Sequence, residues 1–297
     1  MKAKKILFIT QEIIPFVPES SYSLSGRYLP QAVQDSGCEI RTFSPKWGII
    51  NERRNALHEV IRLSGMNLII DETDHPLIIK CASIQSTRMP IYFIDNDDLF
   101  SKRGITCDKT GAEYPDNGER AIFYARGVLE TVKKLRWEPD VIFCQGWITA
   151  LAPLYLKKAY ADEPWFREAK VVYSACGNDF ANSWGENYST SAAFGDASKE
   201  DIESVCEGKF GHDEILKLAA KYSDGMIYED TAFSDNVKDF IAELGIPVLQ
   251  RPEDKDEYHN ACINFFDEVY SIGKSPSLAE SSLTASPIHL IFISEFF

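Results

Sequence analysis

Apolar and polar positions follow two different periods along this chain, and the change from one to the other marks its architecture. Lys5-Ile6-Leu7-Phe8-Ile9-Thr10 is a nearly continuous apolar run, the pattern of a strand buried on both faces of a parallel sheet. A second such run covers residues 39–44. Residues 59–94 hold several short β-rich stretches, among them Leu77-Ile78-Ile79 and Ile91-Tyr92-Phe93-Ile94, which predict a strand-rich insertion or meander. From Asp116 the period lengthens: Ile122, Phe123, Val128, Leu129, Val132 and Leu135 share one helical face. Asp116 is placed to cap that helix, with Glu119 three residues on as in a capping box and Pro115 just before it.

Strand and helix then alternate. Residues 140–144 read as strand, 147–160 as helix, 170–174 as strand, 212–222 as helix, 225–228 as strand, 231–244 as helix and 246–249 as strand. Repeated βα units with buried strands predict an α/β fold, a doubly wound, Rossmann-like and mostly parallel sheet with helices on both faces. Such sheets bind ligands at the carboxyl ends of their strands, so the functional loops follow Thr10, Cys144 and Ser174. Residues 177–211, rich in Gly, Asn, Ser and acidic side chains, form a long loop on that face with one short helix. An amphipathic stretch at 256–272 presents Ala261, Phe265, Phe266 and Val269. The remainder is Ser-rich and ends in Leu290-Ile291-Phe292-Ile293, far short of a membrane span, as an added edge strand or a frayed, sticky end.

The bulk properties narrow the classes of function. At 297 residues the chain can bury a sizeable core, and 44% hydrophobic and 12% aromatic residues are ordinary for a globular protein. A net charge of −14 excludes nucleic acid as a partner, because affinity for a polyanion comes from clustered Lys and Arg. Lys2, Lys4 and Lys5 precede an apolar run too short for a signal peptide or a span, which predicts a cytoplasmic protein with no membrane partner. Seven cysteines without a C-x-x-C pair fit reduced thiols better than a disulfide framework. The histidines, His58, His75, His212, His259 and His289, contain no i, i+4 pair, so no metal site is predicted.

Residues 104–160 carry Tyr114-Pro115-Asp116-Asn117, Glu119-Arg120 and Trp147-Ile148-Thr149-Ala150-Leu151, and in that order and spacing they resemble the N-terminal half of bacterial glycogen synthases and plant starch synthases. Lys5 to Glu12 followed by Pro15-Phe16-Val17 resembles the family's opening strand and loop. Tyr92-Phe93-Ile94-Asp95 and Tyr222-Ser223-Asp224-Gly225 resemble later segments of the same domain. The resemblance implies a single GT-B half-domain over residues 1–250, followed by a C-terminal helix at 251–272 and a tail at 273–297. It implies transfer of glucose from ADP-glucose or UDP-glucose to an α-1,4-glucan, without a metal ion or other cofactor. The 47 residues after 250 are too few for a second Rossmann domain.

Against that pattern, several site positions differ. Where the family has Lys-Thr-Gly-Gly-Leu, which neutralises and approaches phosphate, this chain has Pro18-Glu19-Ser20-Ser21-Tyr22. Amides of Ser20 and Ser21 remain as anion donors, with Arg27 in the following helix as a source of charge. The family's His-Asp-Trp is Gln145-Gly146-Trp147 here, and its Ile-His-Asn is Ala175-Cys176-Gly177, followed by Asn178. Losing a donor that acts in the transition state costs about two to three orders of magnitude in rate. Ser20, Ser21, Arg27, Gln145, Trp147, Cys176 and Asn178 are therefore ligand-binding candidates, and no catalytic residue is assigned. A Cys176 nucleophile lacks a histidine close in sequence. Trp165, Phe166, Phe180 and Trp184 flank the ligand-face loop, as sugar-stacking rings or as packing. Three functions follow: a synthase-like domain that holds glucan, a metabolite or a protein partner without transferring glucose; an active glucosyltransferase with a second domain supplied by another chain; and a self-associating scaffold.

Overall fold

The computed structural model describes residues 3–273 except 86, 88, 102 and 207; of the tail expected at 273–297, residues 274–297, with the edge strand expected there, lie outside these. The parallel core is β1 (Lys5–Ile9), β2 (Glu39–Pro45), β6 (Met89–Asp95), β7 (Val141–Gln145), β8 (Lys170–Ala175), β9 (Gly225–Tyr228) and β10 (Val248–Gln250). An antiparallel extension is made by β3 (His58–Glu59), β4 (Met66–Ile70) and β5 (Thr73–Ile84). The sheet order is β10-β9-β8-β7-β1-β2-β6-β5-β3, with β4 pairing β5 off that path. The predicted doubly wound sheet and its strand-rich insertion are both present.

β1 is the centre of this order. Its Ile6 pairs with Ile40 on one side and Val141 on the other. Leu7, Phe8 and Ile9 are fully buried, which is why the run carries no polar alternation. From β1 the chain winds to β2 on one side and later to β7 on the other, so the crevice between the ends of β1 and β7 is the switch point where open α/β sheets bind ligands.

Helices flank the sheet in two groups. On one side α1 (Ser21–Asp35) packs on α8 (Lys255–Ser271). Phe266 of α8 meets Phe8 and Phe143 edge to face at 6.3 and 5.7 Å. The other group is α2 (Asn117–Leu135), α3 (Ala152–Lys157), α6 (His212–Lys221) and α7 (Asp235–Leu244), each touching the next. Two short helices, α4 (Tyr188–Ala192) and α5 (Lys199–Glu203), interrupt the long loop where one was expected.

Local chemistry moved several expected boundaries. The Asp116 side chain makes no cap bond to α2; both its oxygens lie 2.5 Å from the Arg103 guanidinium. A bidentate ion pair outcompetes a single backbone N–H. Glu119 completes no capping box either, and stands 3.1 Å from Nε2 of His75. The helix expected over 147–160 is broken into a 3-10 turn, Trp147–Thr149, and the short α3. Pro153 has no N–H to continue a helix but is tolerated in a first turn, so it starts a new one. α7 begins at Asp235 rather than 231 because the Ser234 hydroxyl accepts from the Val237 amide at 3.2 Å.

Candidate functional site

At the switch point the chain fills its own crevice. Gln11 is the second residue beyond β1, and its side chain lies against Gly146, which directly follows β7. A Cβ on Gly146 would stand 2.3 Å from Gln11 Oε1, and the residue's φ of +81° is itself a conformation that favours glycine. Gln11 is fixed from below, since its carbonyl accepts the Trp47 indole N–H at 2.7 Å and its amide donates to Glu12 at 2.8 Å. Gln145 is fully buried, and neither atom of its amide has a hydrogen-bond partner among the described residues. The same holds for the indole nitrogen of Trp147, whose ring packs among Trp47, Phe180 and Trp184.

The loop after β1 is likewise committed internally. Ser20 caps α1: its hydroxyl accepts from the Ser23 amide at 3.0 Å and donates to Glu12 at 2.6 Å, while the Ser23 hydroxyl accepts the Ser20 amide at 2.7 Å. The buried Glu12 carboxylate thus occupies the N-terminal end of α1, where an incoming anion would otherwise find free donors. Ser21 is exposed on the first turn. Arg27 is buried and donates to Gln31 at 2.6 Å, along its own helix.

Beyond β8 the next crevice closes in the same manner. The Tyr22 hydroxyl donates to Asp179 at 2.8 Å and accepts the Cys176 amide at 2.7 Å, bridging α1 to the loop after β8. The Gly177 amide donates to Asp230 at 3.0 Å. A Cβ on Gly177 would meet the backbone of Ala232 and Phe233 at 2.2 to 2.5 Å. Burial, and then the Asp179 carboxylate, push the Cys176 thiol well above the usual thiol range, which opposes a thiolate nucleophile. The His212 imidazole accepts the Asp179 amide at 3.2 Å. Asn178 is exposed.

The candidates therefore fall into three groups. Gln145, Trp147, Cys176 and Ser20 gather at the ends of β1, β7 and β8; Arg27 lies within α1, bonded to Gln31; Ser21 and Asn178 face solvent. Of the flanking aromatics, Phe180 and Trp184 stack at 4.9 Å and are buried, so they anchor the loop. Arg120 is fully buried with its guanidinium donating to the carbonyls of Gly104 and Ile105 and to Asn117. Desolvation lowers its pKa to about 10, and its role is to hold the 104–106 loop. Tyr22, Gln11, Asp179 and the 230–233 loop were missed in the sequence. Their only signal was Gly146 and Gly177, since glycine at a strand end also marks close backbone approach. Among the described residues no group of three or more His, Cys, Asp or Glu is placed to hold a metal ion, and no helix is long and apolar enough to cross a membrane.

A sheet with this order and a switch point between β1 and β7 is a doubly wound, Rossmann-like α/β sheet. The chain belongs to the starch synthase catalytic domain family, whose model matches residues 5–244. It is 36% identical over 171 residues to a glycogen synthase of Chlorobaculum parvum, covering 57% of this chain and 35% of that one. A glycogen synthase of Chlorobaculum tepidum is 32% identical over 221 residues, 74% of this chain and 44% of that one. Among solved structures, the catalytic domain of starch synthase IV from Arabidopsis thaliana bound to ADP and acarbose superposes with a TM-score of 0.66 at 15% identity, over 86% of this chain and 53% of that one. The chain thus spans between about a third and a half of the length of the curated relatives it matches.

Proposed function

We propose that this chain is a glucan-holding member of the synthase family that does not itself transfer glucose. The observation that carries the reading is that the strand-end positions of the family's Asp and Asn are glycines pressed against this chain's own atoms, Gly146 on Gln11 and Gly177 on Ala232 and Phe233. Restoring the family's residues there requires the 230–233 loop and Gln11 to move. Glu12, bonded to the cap of α1, opposes a nucleotide phosphate at the remaining donors. Cys176 in place of the family's histidine removes a donor that acts on the developing charge, a loss of about two to three orders of magnitude. An α-glucan as the retained ligand accords with the synthase relatives and with the acarbose bound to the Arabidopsis domain.

A second reading has one observation in its favour. The unpartnered amide of Gln145 and indole N–H of Trp147 stand at the switch point, where a sugar nucleotide held by a second domain from another chain would find donors. Incubating the chain with radiolabelled ADP-glucose or UDP-glucose and glycogen, alone and with the separately expressed second domain of a synthase relative, separates the two. No incorporation above the rate of a Trp147→Ala variant supports the first reading, and robust turnover sinks it.

A further inference from the structure

Away from the strand-end crevice, the antiparallel extension leaves part of β5 without a neighbour. β3 pairs only with Lys80 and Cys81 of β5. Ala82, Ser83 and Ile84 therefore have β6 on one side and, among the described residues, no strand on the other. Continuing the β3 register would set Ala56 opposite Ser83. Instead Ala56 has a φ of +51°, a conformation that favours glycine, and its amide turns back to the Arg53 carbonyl at 3.4 Å. The opening this leaves is a cavity of about 610 Å³, with Arg54, Asn55 and His58 on one bank, Ser83 and Ile84 on the other and Phe16 beside them.

The β5 bank is set out for pairing. Alternate residues of an antiparallel strand turn their N–H and C=O to opposite sides. Ile79 accepts the Val60 amide from the β3 side at 2.8 Å, so Ser83, four residues on, presents its own backbone to that side. Pro90, opposite Ser83 in β6, has no N–H to give it. Ile84 faces the other way, its carbonyl accepting the Thr87 amide at 3.1 Å in the turn to β6. Side chains alternate as well. Ala82 and Ile84 are buried on the face where Phe16 meets Phe93 at 4.9 Å, whereas Ser83 and His58 are exposed on the opposite face.

The charges select the occupant. In a chain of net charge −14 this cavity is lined by Arg54 and His58 and by no carboxylate. The Arg54 side chain makes no ion pair or hydrogen bond among the described residues, and Arg53 and Arg62 are exposed on the same connection. Of the neighbouring carboxylates, Glu52 is held by Lys46 and Lys80 at 2.7 Å each. Glu12 is held by Gln11 and Ser20, Glu19 lines a different cavity, and Glu59 projects from the face opposite His58. A small anion would satisfy Arg54 and leave the backbone of Ser83 unused. A strand edge with an apolar strip on one face and cationic and imidazole donors beside it fits an extended segment that alternates acidic and apolar residues.

We infer that such a segment of a partner protein adds to the sheet as a strand beside Ser83, its carboxylates meeting Arg54 and His58. The docking site lies apart from the strand-end crevice and stands whether or not the chain transfers glucose. The test uses the full chain and a fluorescein-labelled peptide of alternating valine and glutamate, followed by fluorescence anisotropy. Saturable binding is expected, weakened by added salt and at least about tenfold by Arg54→Glu, with no binding of the peptide that carries lysine for glutamate. Methylating the amide nitrogens of the valines alone, or of the glutamates alone, is expected to abolish binding in one case and spare it in the other, because alternate amides face the sheet. These two peptides test the pairing without any change to the protein. Arg54 is exposed, and an unchanged urea midpoint shows that its variant is folded. No binding, equal binding by the folded Arg54→Glu variant, or the same effect from both methylated peptides overturns the inference. Displacement of the peptide by an equal concentration of succinate also overturns it, and makes the cavity a small-anion site.

Discussion

Gly177 and Ala232 meet backbone to backbone: a Cβ on Gly177 would stand 2.2 Å from the carbonyl carbon of Ala232. Neither partner in this contact is a flexible side-chain end, so the strain of a substitution cannot be relieved by a rotamer change. Gly177→Ala is expected to lower stability by about 1–3 kcal/mol, as for overpacking elsewhere. Gly185→Ala, where a Cβ meets nothing within 4 Å, is expected to stay within about 0.5 kcal/mol of the parent. Urea unfolding of the two variants makes the comparison, and equal stability of both would show that the 230–233 loop yields freely.

The buried runs of β1, β7 and β8 were legible because a strand covered on both faces leaves no polar alternation to obscure it. The same logic exposed the meander at β3 to β6 and the apolar face of α8. What the sequence left hidden were contacts between distant segments. Asp116 looks like a helix cap until Arg103, thirteen residues earlier, takes both its oxygens. Gly177 looks like a lost side chain until Ala232 is found in the space. The hydroxyl of Tyr22 joins Asp179 and Cys176 over 154 residues or more, and no local pattern announces such a bond.

The Glu229 carboxylate has no exposed side-chain surface and is matched by the Arg251 guanidinium. Breaking a buried pair by removing one partner leaves an uncompensated charge, at a cost of about 3–5 kcal/mol. Arg251→Met is expected to fall in that range, and Arg251→Met combined with Glu229→Gln to recover part of the loss, because the amide carries no charge to strand. A thermodynamic cycle of the two variants by chemical denaturation measures the coupling; additive losses would mean that the pair is not a pair.

Reactivity at Cys176 follows from its surroundings. Burial and the neighbouring Asp179 carboxylate keep the thiol protonated well above its usual range, and the thiolate is the reacting species. Iodoacetamide at pH 8 is expected to leave the Cys176 peptide unmodified on the timescale that labels a free thiol peptide, as judged by mass spectrometry. Asp179→Asn removes one cause but not burial, so labelling stays slow in that variant. Rapid alkylation of the parent protein would revive the nucleophile excluded above.

The start of α5 holds an acid-sensitive carboxyl. Burial alone would raise the pKa of Asp201, but hydrogen bonds from Lys158, Ser198 and Tyr222 outweigh it and hold the carboxyl at about 2, below the ordinary 3.8. Lys158 lies 2.9 Å away and the Tyr222 hydroxyl 3.0 Å. With the folded pKa below the unfolded one, the folded state binds fewer protons between those two values. The stabilisation is therefore fully present above about pH 4 and is lost as the pH falls towards 2. Asp201→Asn is expected to cost about 1 kcal/mol at pH 7, discounted for partial exposure, and to differ progressively less from the parent between pH 4 and pH 2. Denaturation midpoints measured across that range test the sign, since a gap that widens on acidification would place the carboxyl's folded pKa above its unfolded one.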